Sequence, residues 1–261
     1  MSILIQKYKF MDYQNQYGDA VSNSRAAVSE RGEFIKKTYL NLAVAFGVFI
    51  CLEAILMSWQ PAVQLAAGMV NGGNWLIVLI AFMGVSWLAS SWSVNGATLS
   101  KQYAGLYLYV AAEAIIFLPL LLLAESYAPD AIPQAGIMTA ALAGGITAFA
   151  FWSGKNFSYL GGFITMSGFL ALGVIVCAIL FGFQLGLWFS VAMLAFAGFA
   201  VLYQTSAIIH QYGNSQYVAA TLGLFSAIAL MFWYILQILM SSRRKLRIFC
   251  RHFCSDAQRM D

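Results

Sequence analysis

The 261-residue sequence has very little charge. Only 9% of its residues are charged, against 61% hydrophobic residues, and its mean hydropathy is +0.76. Soluble domains carry about 25% charged residues. No Asp, Glu, Lys or Arg occurs between Lys155 and Arg243. A soluble fold of that size needs charged side chains at its surface, so the composition excludes a water-soluble protein and predicts a surface that faces lipid.

Cysteine is also scarce, with four in the sequence. Cys51 and Cys177 lie in apolar runs, which predicts lipid-facing or core-facing thiols. Cys250 and Cys254 flank His252 near the C-terminus, but this spacing matches no strong zinc pattern and lacks a fourth ligand. We therefore expect no disulfide framework, no metal site and no cofactor.

The apolar runs lack the residues that several membrane enzymes and pigments require. Lys37, at the start of the first run, is their one Lys or Arg, so a retinal-type pigment, which needs a Schiff-base lysine in a late helix, is excluded. The Gly-x-Ser-Gly setting of rhomboid-like proteases is absent, and no nucleophile–base pair is apparent, so we expect no enzyme. The net charge of +4 comes from Lys and Arg outside the runs or at the start of the first. Such residues set orientation and contact anionic lipid, and do not indicate a nucleic-acid site.

Seven apolar runs are long enough to cross a bilayer, which takes about 20 helical residues. They cover residues 37–59, 74–94, 103–124, 132–153, 157–181, 185–209 and 217–240. Gly- and Asn-containing turns separate them, and the break at Gly182 is the weakest, because no charged residue marks it. The sequence thus predicts an all-α, polytopic bundle of seven transmembrane helices at 35–240. A polar N-terminal arm at 1–34 and a basic C-terminal tail at 241–261 flank it.

The distribution of Lys and Arg predicts a cytoplasmic N-terminus. Six lie in the N-terminal arm and at the start of the first run, and Lys101 and Lys155 occupy the second and fourth connections. The tail, however, carries six more basic residues, and seven crossings would place it outside. Either the tail is an exception to the rule, or one apolar segment enters the membrane and returns.

Small residues at one-turn spacing predict close helix packing in lipid. Examples are Ala140, Gly144 and Ala148 in the fourth run, and Gly161 and Gly162 at the start of the fifth.

Ionisable residues inside a membrane are costly and mark candidate functional sites. Glu53 in the first run and Glu113 in the third are the two acids of this kind. Each could be neutral or exchange protons, which points to a proton- or cation-sensitive site. Glu53 could instead reach the interface or hydrogen-bond while protonated. His210, at the end of the sixth run, is expected to cap helix carbonyls.

Two stretches resemble the Bax inhibitor family. Residues 151–162 read Phe-Trp-Ser-Gly-Lys-Asn-Phe-Ser-Tyr-Leu-Gly-Gly, and residues 202–210 read Leu-Tyr-Gln-Thr-Ser-Ala-Ile-Ile-His. They are similar to the family's Thr-Lys-x-Asp-Phe-Ser-x-Leu-Gly and Leu-Tyr-Asp-Thr-Ser-x-Ile-Ile-His. The motif positions include Lys155, Tyr203, Thr205 and Ser206. The ending of the sixth run looks closest to the bacterial YccA-like branch, which modulates the protease FtsH.

The resemblance implies a bundle of six helices around a central one. It also implies one of two activities: a pH-sensitive calcium leak channel, or a regulator of membrane proteolysis and stress survival. In the channel, an aspartate on the sixth helix and one on the seventh share a proton and close the pore. Here those positions hold Gln204 and Ala227 (Ser226 with a one-residue shift), so this latch cannot titrate.

Two functional hypotheses follow for a multi-pass protein of the bacterial inner membrane. The first is a non-enzymatic partner protein that modulates an FtsH-type protease. The second is a leak channel for protons, calcium or other cations that uses Glu53 or Glu113 in place of the lost acids. A secondary transporter is disfavoured, because repeated halves and broken helices are not apparent.

Overall fold

A computed structural model describes the backbone of residues 2–70, 74–94, 98–183 and 185–257, and the side chains of residues 29–70, 74–93, 98–183 and 185–242. Over this part of the chain the fold is all-α, with eight helices and no strand. The helices are α1 (Ser2–Ser58), α2 (Gln60–Val70), α3 (Asn74–Val94), α4 (Leu99–Tyr127), α5 (Ala131–Ser153), α6 (Leu160–Phe181), α7 (Leu187–His210) and α8 (Tyr217–Ala257).

The expected seven membrane helices are confirmed. All helices except α2 contain an apolar span of 20 to 30 residues, and the spans in α1 and α8 cover Ser29–Ser58 and Tyr217–Ser242. The break at Gly182 is real: this glycine ends α6 with a φ of 71°, and its N–H donates to the carbonyl of Ala178. A left-handed φ favours glycine because no Cβ opposes it.

The short helix α2 was not predicted, because its 11 residues cannot cross a bilayer. It follows α1 after a turn at Trp59, and its residues Ala62 and Ala66 are buried against Leu118 of α4. Small side chains on α2 allow this close approach. The connection between the first two membrane helices is therefore a packed element of the bundle.

Helix α8 is the centre of the bundle. It packs against α1, α3, α4, α5 and α7, whereas α6 packs chiefly on α7. Phe225, Leu224 and Leu236 of α8 are fully buried. This arrangement agrees with the central helix that the family resemblance implies.

The two ends of the bundle are distinguished by contacts between distant parts of the chain. Arg31 of α1 binds backbone carbonyls at the end of α7. The start of the apolar span of α1, the end of α7 and the start of α8 therefore lie at one end, here called the Arg31 end. The opposite end, called the Trp75 end, holds the end of α1 and the start of α3. Helix α8 runs without a break from the Arg31 end, so the last span does not turn back.

One packing prediction was wrong. Ala140, Gly144 and Ala148 are exposed on the outside of α5, and a Cβ on Gly144 would meet no atom within 4 Å. The buried face of α5 instead carries Ala135 and Thr139. Every face of a membrane helix is apolar, so spacing alone did not identify the inward one.

Candidate functional site: a buried carboxyl pair beside the central helix

Glu113 lies in the middle of α4 and faces the central helix. Only 6% of its surface is exposed. One side of the carboxyl hydrogen-bonds with the Tyr109 hydroxyl one turn earlier in the helix, whereas Oε2 has no protein hydrogen-bond partner among the described residues. A buried carboxyl with a free oxygen is costly unless it holds a proton or a cation.

Glu53 of α1 is the second buried carboxyl, with 5% of its surface exposed. Neither of its oxygens has a hydrogen-bond partner within the described part of the chain. It lies close enough to Glu113 for the two carboxylates to repel each other. The rings of Phe49 and Phe117, 5.3 Å apart and perpendicular, fix α1 against α4 beside the pair. The structure thus brings together the two acids that the sequence singled out.

Two further residues extend this pair towards α8: Tyr109, which the sequence did not single out, and Ser226, which it named only as the shifted alternative for the family's seventh-helix acid. The Tyr109 hydroxyl hydrogen-bonds with both Glu113 and Ser226. Ser226 in turn donates to the carbonyl of Gly223 at 2.9 Å. Tyr109 could have been found in the sequence, because it is one turn from Glu113 on the same face of α4. The contact of Ser226 with Tyr109 could not be predicted, because it depends on which helices pack together.

Gln204, at the family's acidic position on α7, faces α8 one turn nearer the Arg31 end. Its side-chain oxygen would lie 2.7 Å from a Cβ on Gly223, so the amide packs directly on this glycine. The oxygen also accepts a hydrogen bond from the Tyr212 hydroxyl at 3.5 Å. Burial, and secondarily Tyr203, raises the pKa of Tyr212, so this phenol keeps the proton that it donates. Polar groups therefore follow α8 from Glu113 towards the Arg31 end.

Arg31 closes this end of the bundle. Its guanidinium donates to the carbonyls of Ile208 at 2.5 Å and Tyr212 at 2.6 Å, and to the side-chain oxygen of Asn214 at 3.2 Å. It also lies 4.6 Å from the centre of the Phe34 ring. The last carbonyls of a helix have no partner within it, so Arg31 caps α7 while it joins α7 to α1.

The two family motifs contact each other. The Ser206 hydroxyl accepts the buried N–H of Phe157 at 2.9 Å, which fastens the α5–α6 connection to α7. The Gln211 amide donates to the Ser158 hydroxyl at 2.6 Å nearby. Tyr203 packs on Gly161, whose Cβ would lie 3.0 Å from the ring, so the small residue at the start of α6 does permit close packing.

The remaining predicted site residues lie outside the carboxyl pair. His210 is exposed, and its Nδ1 lies 3.1 Å from the carbonyl of Ser206, which is the geometry of a helix-capping side chain. Lys155 is exposed at the Arg31 end. Thr205 is fully buried beside the Tyr39 hydroxyl.

Cys51 and Cys177 are exposed on the helix surface, as expected for lipid-facing thiols. The side chains of the tail trio 250, 252 and 254 lie outside the described residues. In the part of the chain that is described, no cluster of His, Cys, Asp or Glu has the composition of a metal site.

A cavity of about 320 Å³ extends from Glu113 towards the Trp75 end of the bundle. Glu113 and Leu230 line its inner part, in the middle of α4 and α8, and Trp75, Leu185 and Gln237 line its outer part. Gln204 is not among the described lining residues, so it and Glu113 face the same central helix from different levels.

Comparison with known proteins identifies the family to which the chain belongs. The family described as "Inhibitor of apoptosis-promoting Bax1" matches residues 31–244. The chain belongs to the Bax inhibitor family. An uncharacterized protein of Pseudomonas aeruginosa is 32% identical over 173 residues, which cover 63% of this chain and 73% of that protein.

Two further Bax inhibitor relatives are more distant or cover less of the chain. A Golgi anti-apoptotic protein of vaccinia virus is 26% identical over 238 residues, 88% of this chain and 93% of its own length. A BI1-like protein of Arabidopsis thaliana is 32% identical over 114 residues, 41% of this chain and 43% of its own length. The match through all seven spans agrees with a multi-pass membrane protein of this family.

Proposed function

We propose that this Bax inhibitor family protein is a leak pathway for protons or small cations, including calcium, in which Glu53 and Glu113 form the ion site. The observation that carries the proposal is the burial of two neighbouring carboxyl groups with three unpartnered oxygens between them. The basic residues within the described apolar spans all lie towards the Arg31 end, so none of them lies beside the pair to neutralise it: Arg31, Lys36, Lys37, Lys101 and His210. Protons or cations are the groups that would satisfy such oxygens.

The polar groups along α8 support the same function. On one side of the pair, the cavity leads to the Trp75 end. On the other side, the Tyr109 and Ser226 hydroxyls continue towards Gln204 and Tyr212 at the Arg31 end. The titrating groups of this pathway are the two glutamates, since Gln204 stands where the family has an acid.

The pathway has a defined pH dependence. Neutral carboxyls do not attract cations, whereas ionised ones do, so protons compete with cations for the pair. Cation flux should therefore rise from mildly acidic to mildly basic pH.

The test is flux in liposomes that contain a calcium dye and the purified full chain. We expect flux above that of empty liposomes, and Glu113→Gln, which keeps the size but removes the charge, should lower it and weaken its pH response. Glu125→Gln is the matched control, because Glu125 is an exposed carboxyl on the same helix. Flux equal to that of empty liposomes at both pH values would refute the leak. Flux with an unchanged pH response in Glu113→Gln would refute the assigned residue.

A second function, modulation of an FtsH-type membrane protease by direct interaction, is favoured by the YccA-like stretch at residues 202–210. In this function the bundle is a scaffold and conduction is not required. Affinity purification of the tagged chain from native bacterial membranes should recover a membrane protease. Repeated failure to recover one, under conditions that retain known membrane complexes, would count against it.

The proposed location is the bacterial inner membrane with the Arg31 end in the cytoplasm. Basic residues at that end support this orientation: Arg31, the two lysines that follow Ile35, Lys101 and Lys155. The start of the basic tail then lies on the outer side. Thiol labelling of Cys254 in intact cells tests this, and labelling that occurs only after permeabilisation would contradict it.

A further inference from the structure

The cavity beside Glu113 is rich in aromatic rings, which make up nearly half of its lining residues. Six of its lining residues are aromatic: Trp75, Phe82, Phe117, Phe189, Trp233 and Tyr234. They come from α3, α4, α7 and α8, so four helices converge on one space. A cavity that only accommodates a lipid chain does not require this many aromatic residues.

The rings hold one another in place. Trp233 meets Phe117 edge to face with centroids 4.9 Å apart, and it lies nearly parallel to Trp75 at 6.4 Å. On the α7 side, Phe189 and Tyr234 pack edge to face at 6.3 Å. Edge-to-face and offset-stacked contacts are favourable arrangements of aromatic quadrupoles. The walls are therefore fixed by ring–ring contacts.

The inner end of the cavity is acidic. Glu113 is the one carboxyl among the described lining residues, and no Lys, Arg or His accompanies it there. The side chain is more than nine-tenths buried, and its Oε2 atom has no protein partner among the residues described. The faces of aromatic rings also carry negative charge density. Every strong electrostatic feature of the cavity thus favours a positive ligand.

We propose that this cavity is a binding site for a small organic monocation, a quaternary ammonium or a protonated tertiary amine. Its charged nitrogen pairs with Glu113, and its alkyl or aryl groups contact the faces of the surrounding rings. Aromatic walls with a carboxylate bind such cations because they replace weakly held water with cation–π and ionic contacts. An acyl chain would fill the apolar walls but leave the Glu113 oxygen unpartnered. The site goes beyond the leak pathway and does not require conduction.

The first test compares a cation with its neutral isostere on the unmodified protein. Binding of benzyltrimethylammonium and of neopentylbenzene, in which carbon replaces the nitrogen, is measured by calorimetry on the full chain in lipid nanodiscs. Empty nanodiscs give the partition background for each. We expect saturable binding of the cation that is at least tenfold tighter than that of the isostere. Equal binding of both, or no saturable binding of the cation, would overturn the proposal.

Variants then assign the site. Glu113→Gln should weaken binding of the cation at least tenfold, whereas Glu125→Gln, which removes an exposed charge from the same helix, should change it less than twofold. Trp233→Leu should weaken binding about fivefold or more, and Trp87→Leu, at a position 74% exposed to lipid, should not. Equal losses in a site variant and its control would show non-specific attraction and overturn the proposal.

One variant separates this site from the leak pathway. Glu53 does not line the cavity among the residues described for it, although it belongs to the ion pair. Glu53→Gln should therefore lower cation flux but leave binding of benzyltrimethylammonium within about twofold. Loss of binding in this variant would overturn the organic-cation site, and unchanged flux with intact binding would overturn only the role of Glu53 in the leak.

Discussion

Removal of the Arg31 side chain should lower the free energy of unfolding by an amount that follows from its contacts in the structure. In Arg31→Ala, the two hydrogen bonds to the carbonyls of Ile208 and Tyr212 are lost, together with the contact over Phe34. Hydrogen bonds to a charged donor contribute about 1.5–3 kcal/mol each when buried. The guanidinium is only partly buried, however, so we discount each bond to about 1 kcal/mol.

The expected loss in the free energy of unfolding is then about 2 kcal/mol. It can be measured by titrating the purified protein from mild detergent into sodium dodecyl sulfate. Arg31→Lys keeps the charge but cannot hold two carbonyls with a planar fork, so it should lose roughly half as much. The matched control is Lys37→Ala, because the Lys37–Glu33 pair is exposed at 3.2 Å and such pairs contribute about 0–1 kcal/mol. A loss in Arg31→Ala no larger than in Lys37→Ala would refute the capping role.

Two glycine substitutions should differ in a way that the structure explains. In Gly105→Ala, the new Cβ would lie 2.7 Å from the backbone carbonyl of Ala89. This carbonyl cannot move without separating α3 from α4, so we expect a loss of about 1–3 kcal/mol in the free energy of unfolding. Gly84→Ala is the neutral control, because a Cβ there would have no atom within 4 Å. In Gly223→Ala, the clash is with the flexible end of Gln204, so the loss in unfolding free energy should be smaller than in Gly105→Ala. The double variant Gly223→Ala with Gln204→Ala should recover the stability lost in Gly223→Ala. The same denaturant titration checks both, and equal losses at the two glycines would contradict this packing.

The number and length of the membrane helices could be predicted from the sequence, because the bilayer imposes a minimum apolar length. The run beginning at Asn74 has the same bounds in the structure as in the prediction. The helix α2 could not be predicted in this way, since a segment of 11 residues is too short to cross a bilayer. Its existence depends on the contact of Ala62 and Ala66 with Leu118, which is a tertiary interaction.

The candidate site, like the fold, could be predicted from the sequence only in part. Glu53 and Glu113 could be found in the sequence because a carboxyl in an apolar run is rare and costly. Their proximity, and the link from Glu113 through Tyr109 to Ser226, could not be, because they depend on which helices neighbour α8. The apolar pattern carries little of this information, since lipid-facing and core-facing residues are equally hydrophobic.

The central claim is that Glu53 and Glu113 act as one proton-exchanging pair inside the bundle. Infrared difference spectroscopy between mildly acidic and mildly basic pH, on the full chain in lipid nanodiscs, tests it most directly. We expect a carboxyl C=O band that changes with pH. It should be altered in either Glu53→Gln or Glu113→Gln, and it should disappear in the double variant. A spectrum without a pH-dependent buried carboxyl band, or a band that persists unchanged in the double variant, would contradict it.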